Sequence, residues 1–406
     1  MNAGAEQFGH DVLGPIMAEF SLRLWSLGAL VDRPGDTAFL FCARGGLRMQ
    51  LAHQRFLRAA GLDCPVPQHP VMVSRLVAMR ASLLRTLRTG GPQVGPFAAS
   101  TLAYEFRHAS VGEAAYSLTG VRPAGDPARW ELPLDPSHLV ALLRVPEGAA
   151  VVEALVEQGE LFERHLRHTL DGRGRAVLVD TGLYGTTQGL LAEAEPDLLF
   201  SSALLARSYR PGPTPGSGST AGLSVEAEGY TPLRRRTALL RYWHFVEWFL
   251  EPELPSVRTF ADDGGAPRSN LEVDGWRAHV EPDPGSPFAG VLAYLDGLPA
   301  GPGETVVADA TRAWRRLHSA VVWPRRADGE RLQVGTRSHD FGLAGTWGQR
   351  GWRGPVAALR GSSMWREGEI ARSGSPLRLP LLAAIESGYA GRLAVRAARR
   401  RLLPGR

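Results

Sequence analysis

The sequence contains no lysine. Arginine supplies all 46 basic residues, which face 41 acidic residues and leave a formal net charge of +5. A P-loop needs a lysine to reach the nucleotide phosphates, so this nucleotide-binding motif is excluded. Any phosphate site in this chain must use arginine, backbone N–H groups or hydroxyls. The exclusive use of arginine, beside abundant Gly and Pro, is typical of a GC-rich genome.

Cysteines and long apolar runs are also scarce. The two cysteines, Cys42 and Cys64, are too few for a disulfide framework. Neither C-x-x-C nor H-E-x-x-H occurs, which argues against a zinc site. No apolar run reaches the roughly 18 residues that suggest a membrane span, and the N-terminus lacks the basic region of a secretory signal. We therefore expect a cytoplasmic protein without a transmembrane segment.

Three catalytic or cofactor signatures are missing or misplaced. Without D-x-D, the chain lacks the acid pair of haloacid-dehalogenase-type phosphatases, and without G-x-S-x-G it lacks a nucleophile elbow. A G-x-G-x-x-A match at 216–221 falls in a Pro-rich loop instead of at a strand end, which disfavours dinucleotide binding. The arginine run at 234–236 and the basic C-terminal segment predict solvated surfaces, with binding to an anionic surface or to nucleic acid as the alternative. We expect no nucleic-acid partner.

The apolar pattern predicts an α/β fold. With 44% hydrophobic and 21% charged residues, the chain should form a folded core. Helical patterns, including 7–28 and 237–250, separate short apolar runs, which favours a parallel sheet covered on both faces. The predicted strands are 37–42, 69–74, 176–180 and 198–206. We expect one domain over 1–260, with a helical insertion at about 75–170, and a mostly helical accessory region over 261–406.

Two strand-end loops indicate where a ligand binds. The first strand runs into Ala43-Arg44-Gly45-Gly46 and then a helix, and the third ends in Asp180 before a Gly- and Thr-rich turn into a helix. Glycines let backbone N–H groups approach an anion, and the helix N-terminus adds its dipole. Ligands of parallel sheets bind at the carboxyl ends of the strands. The two loops together predict a ligand with phosphates at both ends.

These loops resemble those of the type I phosphoribosyltransferases, which use 5-phosphoribosyl 1-pyrophosphate (PRPP). Over roughly residues 8–260, the chain is more specifically similar to phosphoribosyltransferase-like ribofuranosylation proteins of bacterial glycan and aminoglycoside gene clusters. The segments that carry this resemblance are, in order, FGHDVLGPIMAEF, FLFCARGGLRMQ, VMVSR, VLVDTGLYGTTQ and YWHFVEWFLEPELPSV. Thr181 follows Asp180 where the type I motif has a second acid, and the more specific resemblance, whose motif has a single acid there, accounts for this departure.

The resemblance implies roles for particular residues on the donor side. It implies that Arg44, Gly45 and Gly46 bind pyrophosphate, and Arg75, after the second strand, is a candidate second anion ligand. Asp180 would bind the ribose hydroxyls, directly or through Mg²⁺, which is a candidate cofactor; no metal-ligand set is evident. The remaining candidate substrate-binding residues come from the second loop, with the last three as the 5-phosphate cradle: Thr181, Gly182, Tyr184, Gly185, Thr186 and Thr187.

The acceptor side is predicted from a later helix. Glu247 is the candidate catalytic base for an attacking hydroxyl, oriented by His244 three residues earlier. The expected reaction transfers phosphoribose from PRPP to a sugar hydroxyl, with an aminoglycoside intermediate as the favoured acceptor, and releases pyrophosphate. Because the chain lacks D-x-D, a separate phosphatase would remove the 5-phosphate. The alternatives are a lipid-linked polysaccharide acceptor, or a non-catalytic sensor of PRPP or a nucleotide.

Overall fold

A parallel five-stranded sheet lies at the centre of the chain. The computed structural model describes residues 3–31, 33–209, 220–262, 264–332, 337–338, 346–347, 354 and 365–402. The sheet strands are β1 (Thr37–Cys42), β2 (Gln68–Val71), β3 (Arg175–Asp180), β4 (Leu199–Ser208) and β5 (Thr220–Ala227). Four two-residue strands form separate hairpin-like pairs: β6 (Phe260–Ala261), β7 (Arg268–Ser269), β8 (Arg337–Ser338) and β9 (Thr346–Trp347).

Helices fill most of the remaining described chain. The α-helices are α1 (Ala3–Phe8), α2 (Gly14–Ala29), α3 (Gly45–Ala60), α4 (Arg75–Thr89), α5 (Pro96–Glu105), α6 (Val111–Thr119), α7 (Pro127–Trp130), α8 (Pro136–Leu143), α9 (Ala149–Leu170), α10 (Thr186–Ala194), α11 (His244–Leu250), α12 (Asn270–Val273), α13 (Arg277–Val280), α14 (Pro287–Asp296), α15 (Gly303–Val322), α16 (Arg326–Arg331), α17 (Arg366–Arg372) and α18 (Arg378–Leu402). A π-helical turn, Gly9–Leu13, joins α1 to α2, and 3₁₀ turns cover Pro34–Asp36, Pro146–Gly148 and Arg235–Leu240.

The central strand β1 is buried along its whole length and serves two cores. Successive side chains of a strand point to opposite faces. Phe39 and Phe41 accordingly join a core with α1, α2, α3, α14 and α15, whereas Leu40 and Cys42 join a core with α4, α8 and α9. A continuous apolar run is the pattern of such a doubly covered parallel strand. The predicted α/β class and parallel sheet are therefore correct.

The strand order β2-β1-β3-β4-β5 creates a crevice at the carboxyl ends of the strands, between β1 and β3. From β1 the chain continues to β2 on one side, and later to β3 on the other. Loops that follow β1 and β3 therefore diverge over opposite faces, and ligands of doubly wound sheets bind at this switch point.

The predicted strands lie close to the observed ones, with informative differences. Predicted strand 69–74 ends early, because Ser74 accepts a hydrogen bond from the Val77 N–H and so caps α4. Strand β5 was not predicted, since its Gly, Ser and Glu content reads as a continuation of the preceding loop. The predicted helix 237–250 is divided into the 3₁₀ turn Arg235–Leu240 and α11.

The stretch expected to be a helical insertion, about 75–170, contains α4 to α9. Helices α14 and α15 of the predicted accessory region pack with α1 and α2 in the core that contains Phe39. The boundary at 260/261 stays a prediction. Among the described helices, none combines the length and the apolar character needed to cross a bilayer.

One buried histidine has no polar partner within the described chain. His53 of α3 is fully buried 6.2 Å from the ring of Phe41, and both of its ring nitrogens lack a hydrogen-bond partner. Burial lowers the pKa of His53 to about 3, so it stays neutral in the folded protein. Burial also lowers the pKa values of His69, His165 and His318.

We predict that His53 makes the protein acid-sensitive. The unfolded chain protonates this ring near pH 6.5, whereas the folded chain does not, so stability is retained above pH 6.5 and lost as pH falls towards 3. Between pH 7 and pH 4.5 the loss should be about 2–3 kcal/mol. His53→Leu should remove this component and retain full stability at pH 7. Denaturant unfolding at both pH values tests this, with the exposed His279→Gln as control; equal pH sensitivity in His53→Leu and the wild type would contradict it.

Candidate functional site

A cavity of about 180 Å³ lies at the carboxyl ends of β1 and β3. Its walls are the loops after these strands, the start of α4, helix α11 and the chain that follows α11. Most of the sequence-predicted site residues line it: Arg44, Gly45, Arg75, Asp180, Thr181, Gly182, Tyr184, Gly185, Thr186, Thr187 and Glu247. Gly46 and His244 are not among its described lining residues.

Three helices begin at the cavity. Helix α3 starts at Gly45, α4 at Arg75 and α10 at Thr186, and all three residues line it. Each helix N-terminus carries roughly half a positive charge and unsatisfied N–H groups. Together with the guanidinium groups of Arg44 and Arg75, they make this end of the cavity suited to anions.

The two glycines after β1 allow close packing. A Cβ on Gly45 would lie 2.6 Å from the Thr181 Cγ2 atom, so only glycine lets the two strand-end loops touch there. A Cβ on Gly46 would lie 2.9 Å from the Val179 carbonyl oxygen and 3.0 Å from the Phe41 carbonyl carbon. Gly46 therefore seats α3 against the sheet, while Gly45 faces the cavity.

The loop after β3 is held by its own acid and by β4. The Asp180 carboxylate accepts a 2.7 Å hydrogen bond from the Thr181 N–H. The Thr181 carbonyl accepts from Ala206 N–H at 3.2 Å, and that of Leu183 from Ser208 N–H at 2.9 Å. The peptide bonds Ala43–Arg44 and Gly182–Leu183, one in each loop, are cis.

Each cavity arginine is paired with a carboxylate. Arg44 contacts Glu251 at 3.0 Å and donates to the Leu254 carbonyl at 3.0 Å. Arg75 contacts Glu105 at 2.7 Å. These acids fix the guanidinium groups in place, and they also compete with any bound anion for them.

The segment 251–258, which we call the strap, closes one side of the cavity. Arg48 donates to the Glu251 carbonyl at 3.3 Å, and Ser74 Oγ donates to the Val257 carbonyl at 2.7 Å. Arg80 donates to the carbonyl of Arg258. Burial lowers the pKa of Arg48 to about 10, so it keeps its charge at neutral pH. Side chains from α3 and α4 thus hold the strap against the sheet.

Helix α11 presents an aromatic and acidic face. Trp243, just before the helix, Glu247 and Glu251 are spaced four residues apart, and all three line the cavity. A Cβ on Gly182 would lie 3.2 Å from the Trp243 ring, so this face packs on the loop after β3. The His244 ring instead lies beside Phe245, at 4.9 Å between centroids.

Some lining residues escaped prediction. Trp243, Glu251, Ser74 and Ser256 line the cavity but were not among the predicted site residues. The four-residue spacing from Glu247 could have identified Glu251, since such residues share a helix face. No sequence signal marks Ser256, because the strap has no periodic pattern.

The charges of the cavity are mixed. Its lining includes the carboxylates of Asp180, Glu247 and Glu251 and the guanidinium groups of Arg44 and Arg75. Within the part of the chain that the structure describes, no three His, Cys, Asp or Glu residues are clustered as a metal site would need.

The Cys42 thiol lines the cavity, but it is not suited to nucleophilic catalysis. The side chain is almost fully buried, and burial together with the nearby Asp180 charge raises its pKa well above the usual range. Only the thiolate is a good nucleophile. Cys42 therefore contributes packing.

No protein-family model matches this chain, and no curated protein matches it. What the cavity does must therefore be argued from its own residues.

We predict that Glu251 limits anion binding. Glu251→Gln removes the charge that neutralises Arg44 and should tighten binding of inorganic pyrophosphate by about tenfold, since a hydrogen bond to a charged group is worth about 1.5 kcal/mol. Titration calorimetry measures this, with Glu253→Gln as a matched control because Glu253 is exposed and does not line the cavity. Weaker pyrophosphate binding in Glu251→Gln would instead mean that Glu251 mainly positions Arg44.

Proposed function

We propose that the cavity binds PRPP and that the protein transfers phosphoribose to a hydroxyl of a sugar acceptor, releasing pyrophosphate. The observation that carries this proposal is the meeting of three helix N-termini and two arginines at one cavity. Such an arrangement favours a ligand with several phosphates over a neutral one. The resemblance of the strand-end loops to those of type I phosphoribosyltransferases supports PRPP as that ligand.

In this proposal, the donor spans the two strand-end loops. Its pyrophosphate binds the backbone of Gly45 together with Arg44 and Arg75. The 5-phosphate binds the N–H groups and hydroxyls of Thr186 and Thr187, at the start of α10. Asp180, at the end of β3, binds the ribose hydroxyls.

The chemistry follows from the placement of charge. As the bond between the anomeric carbon and the pyrophosphate oxygen breaks, negative charge grows on the leaving group, and Arg44 and Arg75 stabilise it. The ribose ring develops oxocarbenium character. The acceptor oxygen then bonds to the anomeric carbon and its proton passes to Glu247, which acts as general base.

Magnesium would have to arrive with the donor. Mg²⁺ keeps several waters and commonly binds through one or two carboxylates plus substrate phosphates. Asp180 is the carboxylate placed to contribute here, and bound Mg²⁺ would neutralise part of the pyrophosphate charge.

The part of the cavity lined by α11 and the residue before it, which would bind the acceptor, favours a cationic sugar. Trp243 offers a flat face and Glu247 offers negative charge, which suits an amino sugar such as an aminoglycoside. A lipid-linked glycan is the second candidate, and the exposed Arg392 and Arg396 of α18 would then contact the membrane surface. A separate phosphatase would then complete the ribosylation.

We predict that the α10 hydroxyls select PRPP over pyrophosphate. The Thr186→Val/Thr187→Val double variant loses two hydrogen bonds to the charged 5-phosphate, so PRPP affinity should fall at least tenfold. Pyrophosphate affinity should change less than twofold, because its proposed binding loop follows β1. Calorimetric titration of both ligands into the wild type and the variant measures this. Equal loss for the two ligands would show that the loops are wrongly assigned.

We predict that Glu247→Gln abolishes transfer. The amide cannot accept the acceptor proton, so kcat should fall by about 100-fold or more, while PRPP affinity stays within a few-fold of normal. The pH profile should lose its acidic limb. Product formation, PRPP titration and the thermal midpoint are measured together.

Two other results would assign Glu247 differently. A raised KM with normal kcat would place it in acceptor binding, because that contact is equal in ground and transition states. A large drop in thermal midpoint would make it a structural contact. Either result contradicts the role of general base.

A further inference from the structure

A second, strongly basic cavity lies away from the first. This cavity, which we call the Arg groove, has a volume of about 760 Å³. It is formed by β5, by the chain at 232–237 and by α15. Its described lining shares no residue with the cavity at β1 and β3.

Three arginines of the Arg groove carry uncompensated charge. Arg234, Arg235 and Arg315 are exposed, and none forms an ion pair with a carboxylate of the described residues. Neighbouring guanidinium groups repel each other, so a cluster of this kind gains free energy when an anion binds between them.

The fourth arginine is part of the groove wall. Arg236 contacts the buried carboxylate of Glu19 at 2.8 Å, and Glu19 also accepts hydrogen bonds from Arg23 at 2.7 Å and from the Trp314 indole at 2.8 Å. This network of hydrogen bonds connects α2, α15 and the 3₁₀ turn Arg235–Leu240 and fixes their positions relative to one another. The other three arginines thus project from a fixed surface.

The acid in the described groove lining is already occupied. Glu226 accepts from Arg207 at 3.4 Å, from Tyr209 Oη and from the Gly222 N–H at 3.0 Å. The Glu226 carboxylate therefore bonds to groups on β4, β5 and the residue after β4, and it does not pair with the exposed arginines of the groove.

A buried hydroxyl in the same wall lacks a partner. Ser224 is 5% exposed and lines the Arg groove, and its Oγ has no hydrogen-bond partner among the described residues. Buried polar atoms are normally satisfied. The wall of the Arg groove therefore holds one hydroxyl with unused hydrogen-bonding capacity.

We propose that the Arg groove binds an oligophosphate group. Guanidinium groups bind phosphate oxygens in bidentate fashion, and three of them match a ligand with several adjacent phosphate charges. Such a group could belong to a soluble compound or to a lipid headgroup. The site is independent of the proposed transferase activity.

The test uses the full-length protein and inorganic tripolyphosphate. Titration calorimetry compares the wild type with Arg234→Gln/Arg235→Gln/Arg315→Gln. The control is Arg58→Gln/Arg85→Gln/Arg122→Gln, which makes the same change in net charge at exposed arginines elsewhere. The groove variant should lose one binding event, or at least tenfold in affinity, whereas the control should change less than twofold. Pyrophosphate binding is measured on each protein, and the groove variant should keep its affinity at the β1–β3 cavity.

Sedimentation with vesicles of phosphatidylinositol 4,5-bisphosphate in phosphatidylcholine, a headgroup with several phosphates, distinguishes the two sources. If the wild type binds tripolyphosphate but does not sediment with the vesicles, the ligand is a soluble compound. If it binds both tripolyphosphate and the vesicles, and the groove variant binds neither, the ligand is a lipid headgroup. The proposal is overturned if the groove variant and the control bind tripolyphosphate equally well. These outcomes do not depend on turnover of PRPP. If the Arg groove binds no oligophosphate, the transferase proposal is unaffected, and if the transferase proposal fails, the Arg-groove proposal is unaffected.

Discussion

The ion pair between Arg44 and Glu251 connects the two halves of the cavity. Arg44 belongs to the loop after β1, and Glu251 directly follows the helix that carries Glu247. Arg44 also donates to Leu254, and Arg48 donates to the backbone of Glu251, so the strap depends on the same contacts. An anion that binds Arg44 must share it with Glu251. If the cavity binds PRPP as proposed, the donor and α11 would therefore compete for the same guanidinium group.

The cavity brings together groups of opposite charge from different elements. Helix N-termini, Arg44 and Arg75 come from the chain that follows β1, β2 and β3, whereas Trp243 and Glu247 come from α11 and the residue before it. In the proposed reaction, the first group would bind phosphate and the second a hydroxylated or cationic partner. The strand order produces this arrangement, because the loops after β1 and β3 diverge at the switch point.

The sequence predicted the sheet centre and both loops, because apolar runs and Gly-rich turns are local signals. Strand β5 was missed because its composition resembles a loop, and residues 216–219 of the G-x-G-x-x-A match lie outside the described chain. The pairing of Arg44 with Glu251, and of Arg75 with Glu105, joins residues far apart in sequence. Only the packed fold brings such partners together. The placement of His244 beside Phe245, away from the described cavity lining, could not be read from its spacing to Glu247 either.

Titration of PRPP, pyrophosphate and ribose 5-phosphate into the same protein, with and without MgCl₂, tests the account most directly. If the loops after β1 and β3 hold opposite ends of one donor, PRPP should bind at least tenfold more tightly than either half, because one ligand then uses both anion sites. Pyrophosphate and ribose 5-phosphate should also bind without excluding each other. PRPP affinity no greater than that of pyrophosphate would contradict the account.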